Sequence, residues 1–232
     1  MKKILAIALA CTVSAFAAWD YFPVQDAGKG EAKVGAFYLM HGDRSQLGLV
    51  TQARYSVSVI PNLEAAIFLN FPLAGWDDGE SLDDVAGMNA PTIGLRYWLP
   101  MGLGVFADFD LPFHTYDGDI DADLTTGIQF STAFSEALEF GSELRVLNLI
   151  NDFDVDLGIG LEVDYSLGSI TPFVGAEINN LLIDADVGVD LVLGSAFKIS
   201  DAMSVDASVT LGVVNESDDM PIAICANFSL SF

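Results

Sequence analysis

Basic residues are scarce in this chain: nine lysines and arginines stand against 33 aspartates and glutamates among 232 residues, a net charge of −24. So acidic a chain repels nucleic acid, which removes nucleic-acid partners from consideration. Cysteine is nearly absent too, with Cys11 and Cys225 alone. The two histidines, His41 and His114, each lack the surrounding cluster of His, Cys or carboxylate ligands that a zinc site needs. No phosphate-cradling glycine loop or nucleotide fingerprint occurs. Nor does any later segment hold about 18 consecutive apolar residues, which excludes a helical membrane protein. Disorder is excluded as well, because 52% of the residues are hydrophobic.

The N-terminus has a different grammar from the rest. Met1-Lys-Lys is followed by an apolar run from Ile4 to Val13 and then by Ala15-Phe16-Ala17. A charged start, a short greasy core and an Ala-x-Ala site make residues 1–17 a secretory signal peptide. Cys11 suggests a lipoprotein signal, but Ala8-Leu9-Ala10 before it is a poor match and the better cleavage site follows. Processing removes Lys2 and Lys3, leaving seven basic residues against 33 acidic ones. It also leaves one cysteine, so no internal disulfide forms although the exported compartment permits one. Residues 18–31, with Trp19, Tyr21 and Phe22, form a segment that either hangs loose in the periplasm or folds into the lumen described below.

From residue 32 onward, apolar and polar residues alternate. In Asp154-Val-Asp-Leu-Gly-Ile-Gly-Leu-Glu-Val-Asp-Tyr165 every odd position is apolar and every even position is acidic or glycine. A strand sends alternate side chains to opposite faces, so one face is greasy and the other carries carboxylates. Such segments lie near 32–40, 47–59, 63–71, 91–99, 103–111, 122–134, 138–147, 154–167, 170–179, 185–199, 203–213 and 222–232. Tight turns alternate with longer polar loops at 41–46, 72–90, 112–121, 148–153, 180–184 and 214–221. The pattern predicts an all-β fold: a transmembrane antiparallel up-and-down β-barrel of about twelve strands over residues 32–232, with both termini on the short-turn side. Tyr55, Tyr97, Phe134, Tyr165, Phe197 and Phe232 fall near the short-turn end of every second strand, as an interfacial aromatic girdle does.

A soluble two-sheet sandwich alternates as well. Two features oppose it. Glycines such as Gly104, Gly127, Gly158, Gly160 and Gly194 crowd the polar faces, where in water they weaken a strand and inside a barrel they make room. Soluble sheets also guard their edges with lysine, and only Lys29, Lys33 and Lys198 survive processing.

Parity assigns the interior. The expected lumen-lining residues are Arg54, Arg96, Asp108, Asp110, Glu143, Arg145, Asp156, Glu162, Glu177, Asp186 and Asp190. A constriction is expected where Arg54, Arg96 and Arg145 face Asp108, Asp110 and Glu143. Most bases lie in the half nearest the short turns, where Lys33, Arg54, Arg96 and Lys198 have Glu64, Glu139, Glu162, Asp164 and Asp206 within reach. Acids dominate toward the long loops. A water-filled mouth of this kind concentrates cations; the competing reading is a polar plug of mutually paired charges. Asp117, Asp119, Asp121 and Asp123, at spacing two, are a candidate divalent-cation site. The loop fails the EF-hand pattern at Ala122 and Ile128, and a solvated acidic rim is the simpler account. No cofactor is implied.

The chain stops on Phe228-Ser-Leu230-Ser-Phe232. A terminal Phe with apolar residues at alternate positions before it resembles the signature that Gram-negative outer-membrane barrels present to their assembly machinery. Together with the signal peptide, this extends the resemblance to outer-membrane porin-like and transporter barrels over nearly the whole mature chain. The resemblance implies a bacterial outer-membrane location, a bilayer and lipopolysaccharide as surroundings, and an assembly contact through Phe232. It implies either passive diffusion of small neutral or cationic solutes or a non-conducting barrel displaying acidic loops. Some barrels of similar strand number hydrolyse phospholipids with a Ser–His dyad on the outer wall. Neither histidine here sits on an outward strand position beside an outward serine, so no enzyme is expected. Neutralising Asp117, Asp119, Asp121 and Asp123 together is expected to shift the reversal potential in a salt gradient toward zero; an unchanged potential removes these residues from cation preference.

Overall fold

The computed structural model describes residues 21–23, 26–82, 85–112, 122–150, 155–182, 187–214 and 219–232. Its strands are β1 (Gly30–His41), β2 (Arg44–Ser56), β3 (Leu63–Asp77), β4 (Glu80–Ser81), β5 (Thr92–Leu99), β6 (Leu103–Asp110) and β7 (Asp123–Ala133). They continue as β8 (Leu138–Leu147), β9 (Asp156–Tyr165), β10 (Ile170–Asn179), β11 (Gly188–Lys198), β12 (Met203–Val214) and β13 (Ile222–Ser231). Every wall strand pairs antiparallel with its neighbours in sequence, and β13 returns to pair with β1. The result is a closed up-and-down barrel of twelve strands. The two-residue β4 folds back on the end of β3 and stands outside that ring.

Alternation decides which face each residue takes. On β9, Asp156, Gly158 and Gly160 are buried inside, while Leu161, Val163 and Tyr165 are exposed outside. All six expected girdle residues are exposed. Among the described residues no helix is long and apolar enough to cross a membrane, and the wall is made of strands.

Two features depart from the sequence reading. The stretch 41–46 was expected as a longer loop, yet β1 and β2 meet across Gly42 and Asp43 alone, with His41 paired to Arg44. Arg44, Ser45 and Gln46 read as loop because they are polar; they extend β2 because Asp77, Trp76 and Gly75 of β3 pair with them, with a 2.9 Å Arg44–Asp77 ion pair at the end. Correspondingly β2 ends at Ser56, and 57–62 becomes the turn. The expected loop 72–90 also begins later, since β3 runs to Asp77. Within it, Pro72 sits beside a bulge between Leu47 and Gly48, where a residue without an N–H is tolerated.

With the Leu161 side of the wall against hydrocarbon, Leu161→Arg is expected to cost about 2–4 kcal/mol in reversible urea unfolding from phospholipid vesicles. An unchanged midpoint would place Leu161 outside the hydrocarbon.

Candidate functional site

The interior is organised by register. Trp98, Gly104, Gln129, Glu143, Gly160, Glu177 and Asp190 lie opposite one another in a single row across β5 to β11. The adjoining row holds Arg96, Phe106, Gly127, Arg145 and Gly158. The glycines interrupt both rows and give the long side chains space. A Cβ on Gly158 would stand 2.6 Å from Arg145 Nε, and one on Gly127 would stand 2.7 Å from the Phe106 ring.

Across these two rows runs a continuous chain of hydrogen bonds. Trp98 Nε1 donates to Glu64 Oε2 at 3.0 Å, and Arg96 Nε donates to the same oxygen at 2.7 Å. Arg96 Nη1 donates to Gln129 Oε1 at 2.7 Å, and Gln129 Nε2 donates onward to Glu143 Oε2 at 2.6 Å. Arg145 donates to Glu143 Oε1 at 3.3 Å, to Glu177 Oε2 at 2.7 Å and to Asn179 Oδ1 at 2.7 Å. The Arg96 guanidinium also lies 4.8 Å from the Trp98 ring centroid. Arg96 is 0% exposed and Gln129 1%, so this belt is packed side chain to side chain. Charged groups at such depth persist only when paired and bonded, as these are.

Arg54, Asp108, Glu143, Arg145, Asp156, Glu177 and Asp190 are likewise buried inside, with Asp110 and Glu162 half-buried. Of the carboxylates expected to face the arginines, Glu143 meets Arg145; Arg96 is bonded to Glu64, and Arg54 to Glu31 at 3.3 Å. Asp110 accepts a hydrogen bond from the Thr92 hydroxyl instead. Lys33 reaches Asp206 at 4.0 Å, as expected for the half nearest the short turns. Lys198 bonds Asp201 in the following turn at 2.8 Å. Asp156 acts as a clasp, accepting from the N–H of Leu157 at 2.7 Å and of Leu182 at 3.0 Å. Asp186, Asp117, Asp119 and Asp121 lie outside the described residues. Asp123 opens β7 opposite Asp110 and accepts from the Ile150 N–H at 3.3 Å.

One part of the interior was missed. Phe37, Leu39, Val50, Ala66, Phe68, Phe106, Ala223 and Cys225 form a buried apolar cluster on β1, β2, β3, β6 and β13. The interior therefore holds an apolar patch beside its charged groups, which continue past it as Arg54 on β2 and Glu64 on β3. The signal was in the sequence: Phe37-Tyr-Leu-Met40 and Ala65-Ala-Ile-Phe-Leu69 are apolar at both parities, so both faces of those strands had to be apolar.

Residues ahead of β1 enter the same space. The Tyr21 side chain lies over Gly141 and Gly160, where added Cβ atoms would come within 2.3 Å and 2.2 Å of it. Its hydroxyl donates to Glu177 Oε1 at 3.5 Å, and Arg96 Nη2 donates to the Phe22 carbonyl at 3.1 Å. Two members of the belt thus hold the segment.

No protein-family model matches this chain, and no curated protein sequence matches it. Solved structures do. The COG4313 outer membrane channel from Pseudomonas putida F1 superposes with a TM-score of 0.74 at 12% identity, covering 92% of this chain and 98% of that one. The CymD monoaromatic hydrocarbon channel gives 0.57 at 12% identity over 90% and 89%. The KdgM porin gives 0.55 at 8% identity over 84% and 98%. The fold is that of outer-membrane channels.

Arg96→Met removes the guanidinium paired with buried Glu64 and is expected to cost about 3–5 kcal/mol by urea unfolding. Adding Glu64→Gln is expected to restore part of the loss; strict additivity of the two would dissolve the pair.

Proposed function

We propose that the chain is an outer-membrane channel for passive diffusion of small neutral or cationic solutes. Residues 1–17 are removed on export, and the N-terminal segment narrows the lumen at rest. The observation that carries this reading is the charge imbalance of the interior from β8 to β11. There Glu143, Glu162, Asp164, Glu177 and Asp190 stand against Arg145. A hydrated passage along that side attracts cations and repels anions. The apolar cluster opposite gives a neutral solute a surface that does not compete for water. Solved neighbours described as channels and a porin support the same class.

In this reading the pore-lining groups are Arg54, Arg96, Asp108, Asp110, Glu143, Arg145, Glu162, Glu177 and Asp190. Tyr21 and Phe22 narrow the lumen at the level of the belt, and their withdrawal widens it. A second reading, a non-conducting barrel that displays acidic loops, is favoured by the full burial of the Arg96–Gln129 belt.

Planar-bilayer recording separates the two. The mature chain is expected to pass a small cation-selective current, and a variant lacking residues 18–23 a current several-fold larger. Glu177→Gln with Asp190→Asn is expected to lower the cation preference. Silence from both the mature and the shortened protein, correctly inserted, would leave the structural barrel standing.

A further inference from the structure

Among the described residues the four most exposed large apolar side chains lie beyond the paired strands of the wall. They lie at the short-turn rim, Met101 at 90%, Val59 at 84%, Phe134 at 68% and Leu167 at 59%, and Phe232 at 58% and Ile199 at 52% stand beside them. Each of the five short turns carries one, and Phe232 ends the last strand beside them. Three continue the outward parity of their strands beyond the girdle, with Leu167 following Tyr165, Ile199 following Phe197, and Phe134 following Phe130 and Thr132.

The turns hold these tips in place. Phe134-Ser-Glu-Ala137 and Ile199-Ser-Asp-Ala202 share one design. The Ser135 hydroxyl accepts from the N–H of Ala137 at 3.2 Å and of Leu138 at 3.0 Å, and the Ser200 hydroxyl accepts from Ala202 N–H at 3.3 Å. The apolar residue ahead of each serine is tied across the turn, Phe134 N–H to Leu138 O at 2.8 Å and Ile199 N–H to Met203 O at 2.9 Å. Leu167 closes a two-residue turn with Ile170 at 2.7 Å, with Gly168 supplying the positive φ of 78° that this turn needs. Charge is nearly absent from these five turns. They contain Glu136 and Asp201, and Asp201 is neutralised by Lys198 at 2.8 Å.

We propose that this rim is a phospholipid-binding collar, sunk into the headgroup–acyl boundary of the periplasmic leaflet. A ring of rigid, uncharged, apolar tips exposed to bulk water is unfavourable, and such patches mark contact surfaces. The occupant follows from continuity: the tips prolong the outward face of the wall, with Leu167 next after Tyr165 and Ile199 next after Phe197 at the same parity, and no charged residue intervenes at that parity. The opposite end of the barrel differs, since Asp77, Asp78, Glu80 and Asp219 lie there. The collar therefore fixes the depth of the barrel from below, and the periplasmic mouth opens at the level of the phospholipid headgroups.

The proposal rests on the membrane-barrel reading, and the test separates the two. In a Cys225→Ala background of the mature chain, single cysteines at Met101, Leu167, Asp201 and Leu161 carry an environment-sensitive fluorophore in phosphatidylcholine vesicles. The Met101 and Leu167 labels are expected to be quenched at least two-fold more by nitroxide phospholipid than the Asp201 label, and to resist aqueous iodide. If Leu161 is lipid-quenched while Met101 and Leu167 are as open to iodide as Asp201, the collar is wrong and the rim is free for a periplasmic protein. If Leu161 itself is open to iodide, the barrel reading falls with it.

Discussion

In hydrocarbon every backbone N–H and C=O must find its partner within the protein, and a sheet does this only by closing on itself. Here the closure is the β1–β13 seam. It runs in unbroken register from Glu31 opposite Ser231 to Met40 opposite Ile222, and Gly30 and Phe232 add mutual 2.9 Å bonds below it. Gly30 is required at that point because the Phe232 ring lies where its side chain would be. Everything else depends on this seam. Without it the barrel has two unpaired edges, the parity of each strand loses its meaning, and no interior exists to hold charge.

Closure also explains how buried charges are tolerated. Arg96 and Arg145 never face lipid; they are surrounded by Glu64, Gln129, Glu143, Glu177 and Asn179 inside a ring of backbone. Each guanidinium is held by several acceptors, which fixes its geometry as well as its charge. The belt fills one side of the interior at the level where Tyr21 and Phe22 enter. The apolar cluster on β13, β1, β2 and β3 adjoins it through Phe106 of β6. A barrel with an interior divided this way offers two chemically different walls to whatever passes between them.

Much of the fold was readable because period two is a strong signal wherever one face is polar. The strand over 154–167, with Gly158 and Glu162 inward and Leu161 and Val163 outward, appears as β9 with the expected facing. Reading failed where that contrast vanished. Phe37 and Tyr38 are both apolar, so alternation on β1 gives no contrast, and the apolar interior shows only as apolar residues at both parities. Arg44-Ser-Gln46 is polar throughout and passes for loop until β3 is found to run as far as Asp77. Pairing inside the lumen was legible only by height. Glu64 for Arg96 and Asp206 for Lys33 fell within the expected reach, but Gln129 as the link between Arg96 and Glu143 depends on the stagger of β5, β6 and β7. No single strand encodes that stagger.

The seat beneath Tyr21 has a consequence for how this chain tolerates change. Gly141 and Gly160 offer bare backbone to an aromatic ring that touches both. A methyl group at Gly141 would overlap the Tyr21 Cβ, and one at Gly160 its hydroxyl, so either forces the side chain to shift. The place of the N-terminal segment is thus written into β8 and β9, at two positions far from it in sequence, by the side chains those positions lack.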